Sequence, residues 1–291
     1  MPPRVPLTGL GLMIAGVALF SILNGVVKAQ MEIFPVAQVI FFRNAFALVP
    51  LAFMLRGIRL PRATLPAHAG LALTFTLALA CVFGSYARLP LADATAIGFF
   101  QPLMVALMTL ALGLSRVGRG EWLSIGIGLL GVLIVVQPSG QAGSVTGVML
   151  ALAGAAFAAA GMIQQRELSL RDPTALIAFI TLALSALMVL PVLPFDWVTP
   201  TWPQLAGLVA MGLASGLCQF VTVRAAYHAS AVTLAPVNYT KMIWAILIGF
   251  LWFEEVPGLS VIAGTGVILI STLLSLRGAR RPSGQPSMRR S

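Results

Sequence analysis

Ten apolar runs, separated by short polar breaks, limit what this 291-residue chain can fold into. A helix needs about 20 mostly apolar residues to cross the hydrocarbon core of a bilayer. Breaks at Pro, Gly and Arg place the spans at residues 7–27, 34–55, 67–87, 93–114, 121–136, 145–165, 173–193, 203–225, 231–253 and 258–276. Only 9% of the residues are charged and 59% are hydrophobic, with mean hydropathy +0.97. A soluble domain solvates its surface with about a quarter charged residues, so this surface faces lipid. The fold expected is an all-α polytopic membrane protein. Its opening, MPPRVPLTGL, leads into a full-length run with no small-residue cleavage site, which reads as a first span rather than a removed signal peptide.

A net charge of +10 would suggest nucleic acid in a soluble protein. Placement argues otherwise, and no nucleic-acid partner is expected. With both termini cytoplasmic, fourteen of the 18 Lys and Arg fall inside: Arg4, Arg56, Arg59, Arg62, Arg116, Arg119, Arg166, Arg171, Arg224, Arg277, Arg280, Arg281, Arg289 and Arg290. Only Lys28 and Arg88 fall outside, while Arg43 and Lys241 lie within spans. This asymmetry predicts a multi-pass plasma (inner) membrane protein with cytoplasmic termini. Residues 277–291, basic and rich in Pro, Gly and Ser, read as a disordered cytoplasmic tail.

The chain also repeats itself at a spacing of 137–139 residues. LADATAIGFFQPLMVALMTLALG (91–113) aligns with SAVTLAPVNYTKMIWAILIGFLW (230–252), and SIGIGLLGVLIVV (124–136) with IAGTGVILISTLL (262–274). The two cysteines, Cys81 and Cys218, are 137 apart inside apolar runs and read as small buried residues. The halves are expected at 1–140 and 141–276. Five spans each, an odd number, invert the second half relative to the first. Two inverted units can exchange conformations around a central cavity, which is a device for alternating access.

This pattern resembles the drug/metabolite transporter superfamily, specifically its EamA-type ten-helix exporters, over residues 7–276. The residues that carry the resemblance are SYARLPLADATAIGFFQPLMVAL (85–107) and AILIGFLWFEEVP (245–257). Gln101-Pro102 stands where the family often has Glu-Pro. The resemblance implies a cavity walled by helices 1, 3, 4, 6, 8 and 9. It also implies efflux of amino acids or related metabolites, the aromatic amino acid and methionine exporters being most alike.

The chemistry-bearing residues are few. Neither Lys28 nor Lys241 follows a phosphate-cradling loop, so no ATP drive in cis, no cofactor and no enzyme activity is expected. His68 and His228, at span ends, read as interfacial or loop residues rather than metal ligands. An ionisable residue inside a span is by default a functional candidate. Lys241 is the foremost, a counter-charge for a substrate carboxylate, on one helical face with Asn238. Its alternative is snorkelling or a structural bond. Asn24, Gln219 and Gln165 rank next among the polar candidates, because an amide needs partners that lipid cannot supply. Tyr86, Phe99, Tyr239 and Trp244, with Gln101, could line a pocket for an aromatic or thioether side chain. Arg43 is expected outside the cavity, as a structural partner of a carbonyl or polar group. Pro102 and Pro236 are expected to break or bend their helices.

The acids lie in loops or at span ends, so no deep carboxylate offers itself as a proton carrier. The function expected is therefore a secondary exporter of small amino acids or amino-acid-like metabolites, possible without proton coupling. It would need a small-molecule substrate and a bilayer, and no obligatory protein partner. The alternatives are a multidrug or quaternary-ammonium exporter, and a carrier of nucleotide-linked or phosphorylated metabolites.

Overall fold

The computed structural model describes residues 7–53, 55, 64–113, 119–135, 144–228 and 240–278, with side chains throughout except at 7–14, 119–122, 124, 125, 132, 135, 222–228 and 272–278. The helices are α1 (Leu7–Met31), α2 (Val36–Ala52), α3 (Leu65–Tyr86), α4 (Leu91–Gly98), α5 (Gln101–Ala111), α6 (Arg119–Val135), α7 (Val145–Leu168), α8 (Thr174–Val189), α9 (Trp202–His228), α10 (Lys241–Phe253) and α11 (Leu259–Gly278). A single 3-10 turn, Leu193–Phe195, follows α8. Five stretches among the described residues are long and apolar enough to cross a bilayer: Leu65–Tyr86, Leu91–Ala111, Val145–Leu168, Thr174–Phe195 and Trp202–Val221. The chain is a polytopic α-helical membrane protein.

Proline sets several helix starts. Pro35 and Pro173 precede α2 and α8, and Pro66 and Pro102 occupy the first turns of α3 and α5, where a missing N–H costs nothing. The expected break in the fourth span is present, with Phe99 and Phe100 separating α4 from α5. Pro102 has no N–H to return to the Gly98 carbonyl, and so ends the ladder there. The expectation at Pro236 lies outside the described residues.

Apolar side chains fill most of the core and also cover much of the outside of the bundle. Leu129, Leu130, Leu187, Leu247, Phe250 and Leu251 are exposed to the lipid side, whereas Gln38, Asn44, His68 and Ser185 are no more than 1% exposed. With lipid as apolar as leucine, close packing and interior hydrogen bonds hold such helices together. Close packing is clearest where α2 meets α9. A Cβ on Gly212 would lie 2.7 Å from the Phe42 carbonyl oxygen, and one on Gly216 2.9 Å from Ala47 Cα. In the same way α3 packs on α7, α6 on α11, α1 on α9 and α10, α2 on α8, and α4 and α5 on α7.

Candidate functional site

The interface of α1 with α10 carries two lysine–phenylalanine contacts. Lys28 Nζ of α1 lies 5.0 Å from the Phe253 ring centroid of α10, and Lys241 Nζ of α10 lies 5.0 Å from the Phe20 centroid of α1. Both contacts advance the same way along their helices, so α1 and α10 run parallel. Between them Gly25 lets the helices close, since a Cβ there would lie 3.1 Å from Trp252. Cation–π contacts of this kind strengthen as they are desolvated.

The two lysines differ in what else they touch. Lys28 is 7% exposed, pairs with the Glu255 carboxylate and donates to the Leu89 carbonyl at 3.0 Å. The other Glu255 oxygen accepts the Leu91 N–H at 2.8 Å. One carboxylate thereby ties α1, the α3–α4 turn and the α10–α11 turn together. It is aimed there by Glu254, whose φ of 55° is left-handed, while the Glu254 and Glu255 N–H groups both donate to the Gly249 carbonyl. A left-handed residue with a side chain costs on the order of 1–2 kcal/mol, and such strain persists where the surroundings hold it. A cavity of about 580 Å³, lined by Lys28, Ala29, Glu32, Trp252, Phe253, Glu254 and Glu255, opens at this end. Lys241 has no acidic partner among the described residues. Helical rise puts it about 18 Å along α10 from Phe253, well within the bundle.

The remaining sequence candidates separate into groups. Asn24, Phe99, Gln101, Gln219 and Trp244 are half-buried, and Tyr86 is buried with its ring stacked on Phe83 at 6.2 Å. Gln165 is exposed near the end of α7, where its neighbour Gln164 meets α3 instead by accepting the Thr74 hydroxyl at 3.3 Å. Asn238 and Tyr239 lie outside the described residues.

His68 overturns its sequence reading as an interfacial or loop residue. It is 0% exposed, and its Nε2 lies 3.1 Å from an Asp172 oxygen that also accepts the Thr64 hydroxyl at 2.7 Å. The packing of the start of α3 against the α7–α8 turn buries it, and no spacing rule links residues 104 apart. The Lys28–Glu255 pair was equally invisible to spacing. Arg43 does find the polar partner expected of it, donating to Asn44 Oδ1 at 3.0 Å. It also lies 5.8 Å from the Phe83 ring centroid of α3, so α2 turns this cation toward the bundle interior.

Comparison with known proteins fits this architecture. Residues 145–277 match the EamA-like transporter family. The chain is 30% identical over 265 residues to the pseudopaline exporter of Pseudomonas aeruginosa (strain UCBPP-PA14), covering 90% of this chain and 93% of the relative. A riboflavin transporter of Rhizobium johnstonii is 26% identical, over 98% of this chain and 96% of the relative. An S-adenosylmethionine uptake transporter of Rickettsia felis is 22% identical, over 94% of each. One crystal structure superposes with a TM-score of 0.62 at 20% identity, covering 95% of this chain and 99% of the other, which speaks for the fold. An apolar-surfaced helical bundle with these relatives is a membrane transporter, and the chain belongs to the EamA-like family of the drug/metabolite transporter superfamily.

Proposed function

We propose that this transporter exports small amino acids or amino-acid-like metabolites by alternating access between two inverted halves. The relatives are named for chemically different cargoes, so membership of the family does not choose the substrate. The observation that carries the choice is Lys241. It is an ammonium inside the bundle, set over Phe20 and without an acidic partner among the described residues. A cation at membrane depth costs about 2.5–3.5 kcal/mol on insertion scales, and a substrate carboxylate arriving there would offset that cost. We assign Asn24 and Gln219 to its polar surroundings, and Phe20, with Trp244 and Phe99, to an apolar wall.

The packing supports the inverted halves. Exchanging the halves exchanges α1 with α7 and α3 with α9, and the α1–α9 contact then becomes the α3–α7 contact. Likewise α2–α9 becomes α3–α8, and α6–α11 maps onto itself. With the termini cytoplasmic, the Lys28–Glu255 tie lies at the outer end, and we read it as a closure that opens during transport. The Glu255 carboxylate is engaged in that tie, and substrate movement down its own gradient is the coupling we propose.

Purified protein in liposomes, assayed for counterflow of labelled methionine and phenylalanine with and without an imposed proton gradient, tests the reading. Saturable counterflow in both conditions is expected. Transport of quaternary-ammonium dyes with none of amino acids would replace it with the drug-exporter reading.

A further inference from the structure

The cluster around Arg43 is built unlike an ordinary structural arginine. Arg43 as a residue is 8% exposed within a span. Of five N–H donors, the structure gives it one hydrogen bond, to Asn44 Oδ1. That amide is itself fixed: Asn44 Nδ2 donates to Ser185 Oγ at 2.9 Å, and Thr76 donates to the same oxygen at 2.7 Å. The chain Arg43–Asn44–Ser185–Thr76 thus crosses α2, α8 and α3, and holds the guanidinium in place before any ligand arrives. Phe83 lies beneath the guanidinium at 5.8 Å and stacks with Tyr86. Tyr86 is itself buried against Phe83, and its hydroxyl has no hydrogen-bond partner among the described residues. No described carboxylate lies within ion-pair distance of Arg43.

The site therefore presents donors without an acceptor, a rigid planar fork beside a phenol, in a medium that rewards an anion. Its position matters too. Arg43 is about 10 Å along α2 from Val36 by helical rise, nearer than Lys241 to the end closed by Lys28 and Glu255.

We infer that Arg43 and Tyr86 form a second oxyanion site on the transport path, which takes the carboxylate of the cargo between its release from Lys241 and its exit past the Lys28–Glu255 tie. This rests on the carboxylate-bearing cargo proposed above. Phosphate would satisfy the same donors; the geometry of two or three donors around a planar fork favours the planar carboxylate.

Phenylglyoxal labelling of arginine, read peptide by peptide with mass spectrometry on the purified protein, tests it directly. Labelling of Arg43 should slow several-fold with methionine or succinate present, and should be unchanged with methioninamide. Tyr86→Phe should weaken that protection, and Lys241→Met should leave it intact. Loss of methionine transport by the wild type with protection retained would remove the amino-acid reading but keep the site. An Arg43 that never labels, protection by methioninamide equal to that by methionine, or protection by phosphate alone would overturn the inference. In liposomes, Arg43→Lys should raise KM for methionine about tenfold and leave methioninamide unaffected. Equal losses for both would mark the arginine as structural.

Discussion

Lys28 and Glu255, 227 residues apart in sequence, form an ion pair that fastens the end of α1 to the turn after α10. The same two side chains take up the Leu89 carbonyl and the Leu91 N–H, so the α3–α4 turn is fastened as well. One helical stretch away, Lys241 repeats the lysine-over-phenylalanine contact without the acid. We read the first as a closure that must open and the second as a charge awaiting cargo.

Opening should respond to the closure's charges. Its side chains are 9% and 18% exposed, between the surface pairs worth little and the buried pairs costly to break. Glu255→Gln should shift the open–closed balance by about 1–3 kcal/mol, roughly 5- to 150-fold. With Cys81 and Cys218 replaced, Leu89→Cys reports this through its labelling rate with an impermeant maleimide. Faster labelling in Glu255→Gln, partly reversed by swapping Lys28 and Glu255, is expected. Unchanged labelling would leave the pair without a gating role.

The buried His68–Asp172 contact is a stability element in our account. Asp172→Ala strips a fully buried imidazole and the Thr64 hydroxyl of their acceptor, at a cost of about 1–3 kcal/mol. A lower melting temperature in detergent should follow, with the turnover of the folded fraction unaltered. A melting temperature equal to wild type would contradict the buried arrangement.

Close contact of α2 with α9 gives a third test. Gly216→Leu would press its side chain into Ala47 and Pro50, while Gly266 on α11 has nothing within 4 Å of a Cβ position. Overpacking costs about 1–3 kcal/mol, whereas Gly-to-Ala in an open helix position gains up to about 1 kcal/mol. Size-exclusion profiles should show Gly216→Leu aggregated or absent and Gly266→Ala monodisperse.

Much of this molecule is legible in the sequence because lipid imposes a coarse rule: long apolar runs become helices, and whatever charge stays inside them needs a reason. Lys241 stood out on that rule, and the α4–α5 break followed from Pro102 alone. What the rule misses are partners brought together by tertiary packing. Lys28, Glu255, His68 and Asp172 each read as polar residues at or near span ends, because no periodicity connects residues separated by 104 or 227 positions. Arg43 was seen as an intramembrane cation needing a polar partner. Its approach to Phe83 depends on how α2 is rotated in the bundle, which an almost uniformly apolar helix does not reveal. For a related reason the sequence does not tell that Gln164, one position along α7 from the exposed Gln165, makes the α3 contact.

The most direct test of the account is uptake of labelled methionine and phenylalanine in liposomes by wild type and Lys241→Met, normalised to folded protein. The substitution keeps the length of the side chain and removes the charge over Phe20. We predict that the variant folds, and that its transport of carboxylate-bearing amino acids falls at least tenfold, which corresponds to about 1.4 kcal/mol of lost substrate interaction. Lys241→Arg should recover part of that loss, its broader fork retaining charge but not shape. Wild-type uptake by Lys241→Met would contradict the central claim and leave Lys241 a structural residue.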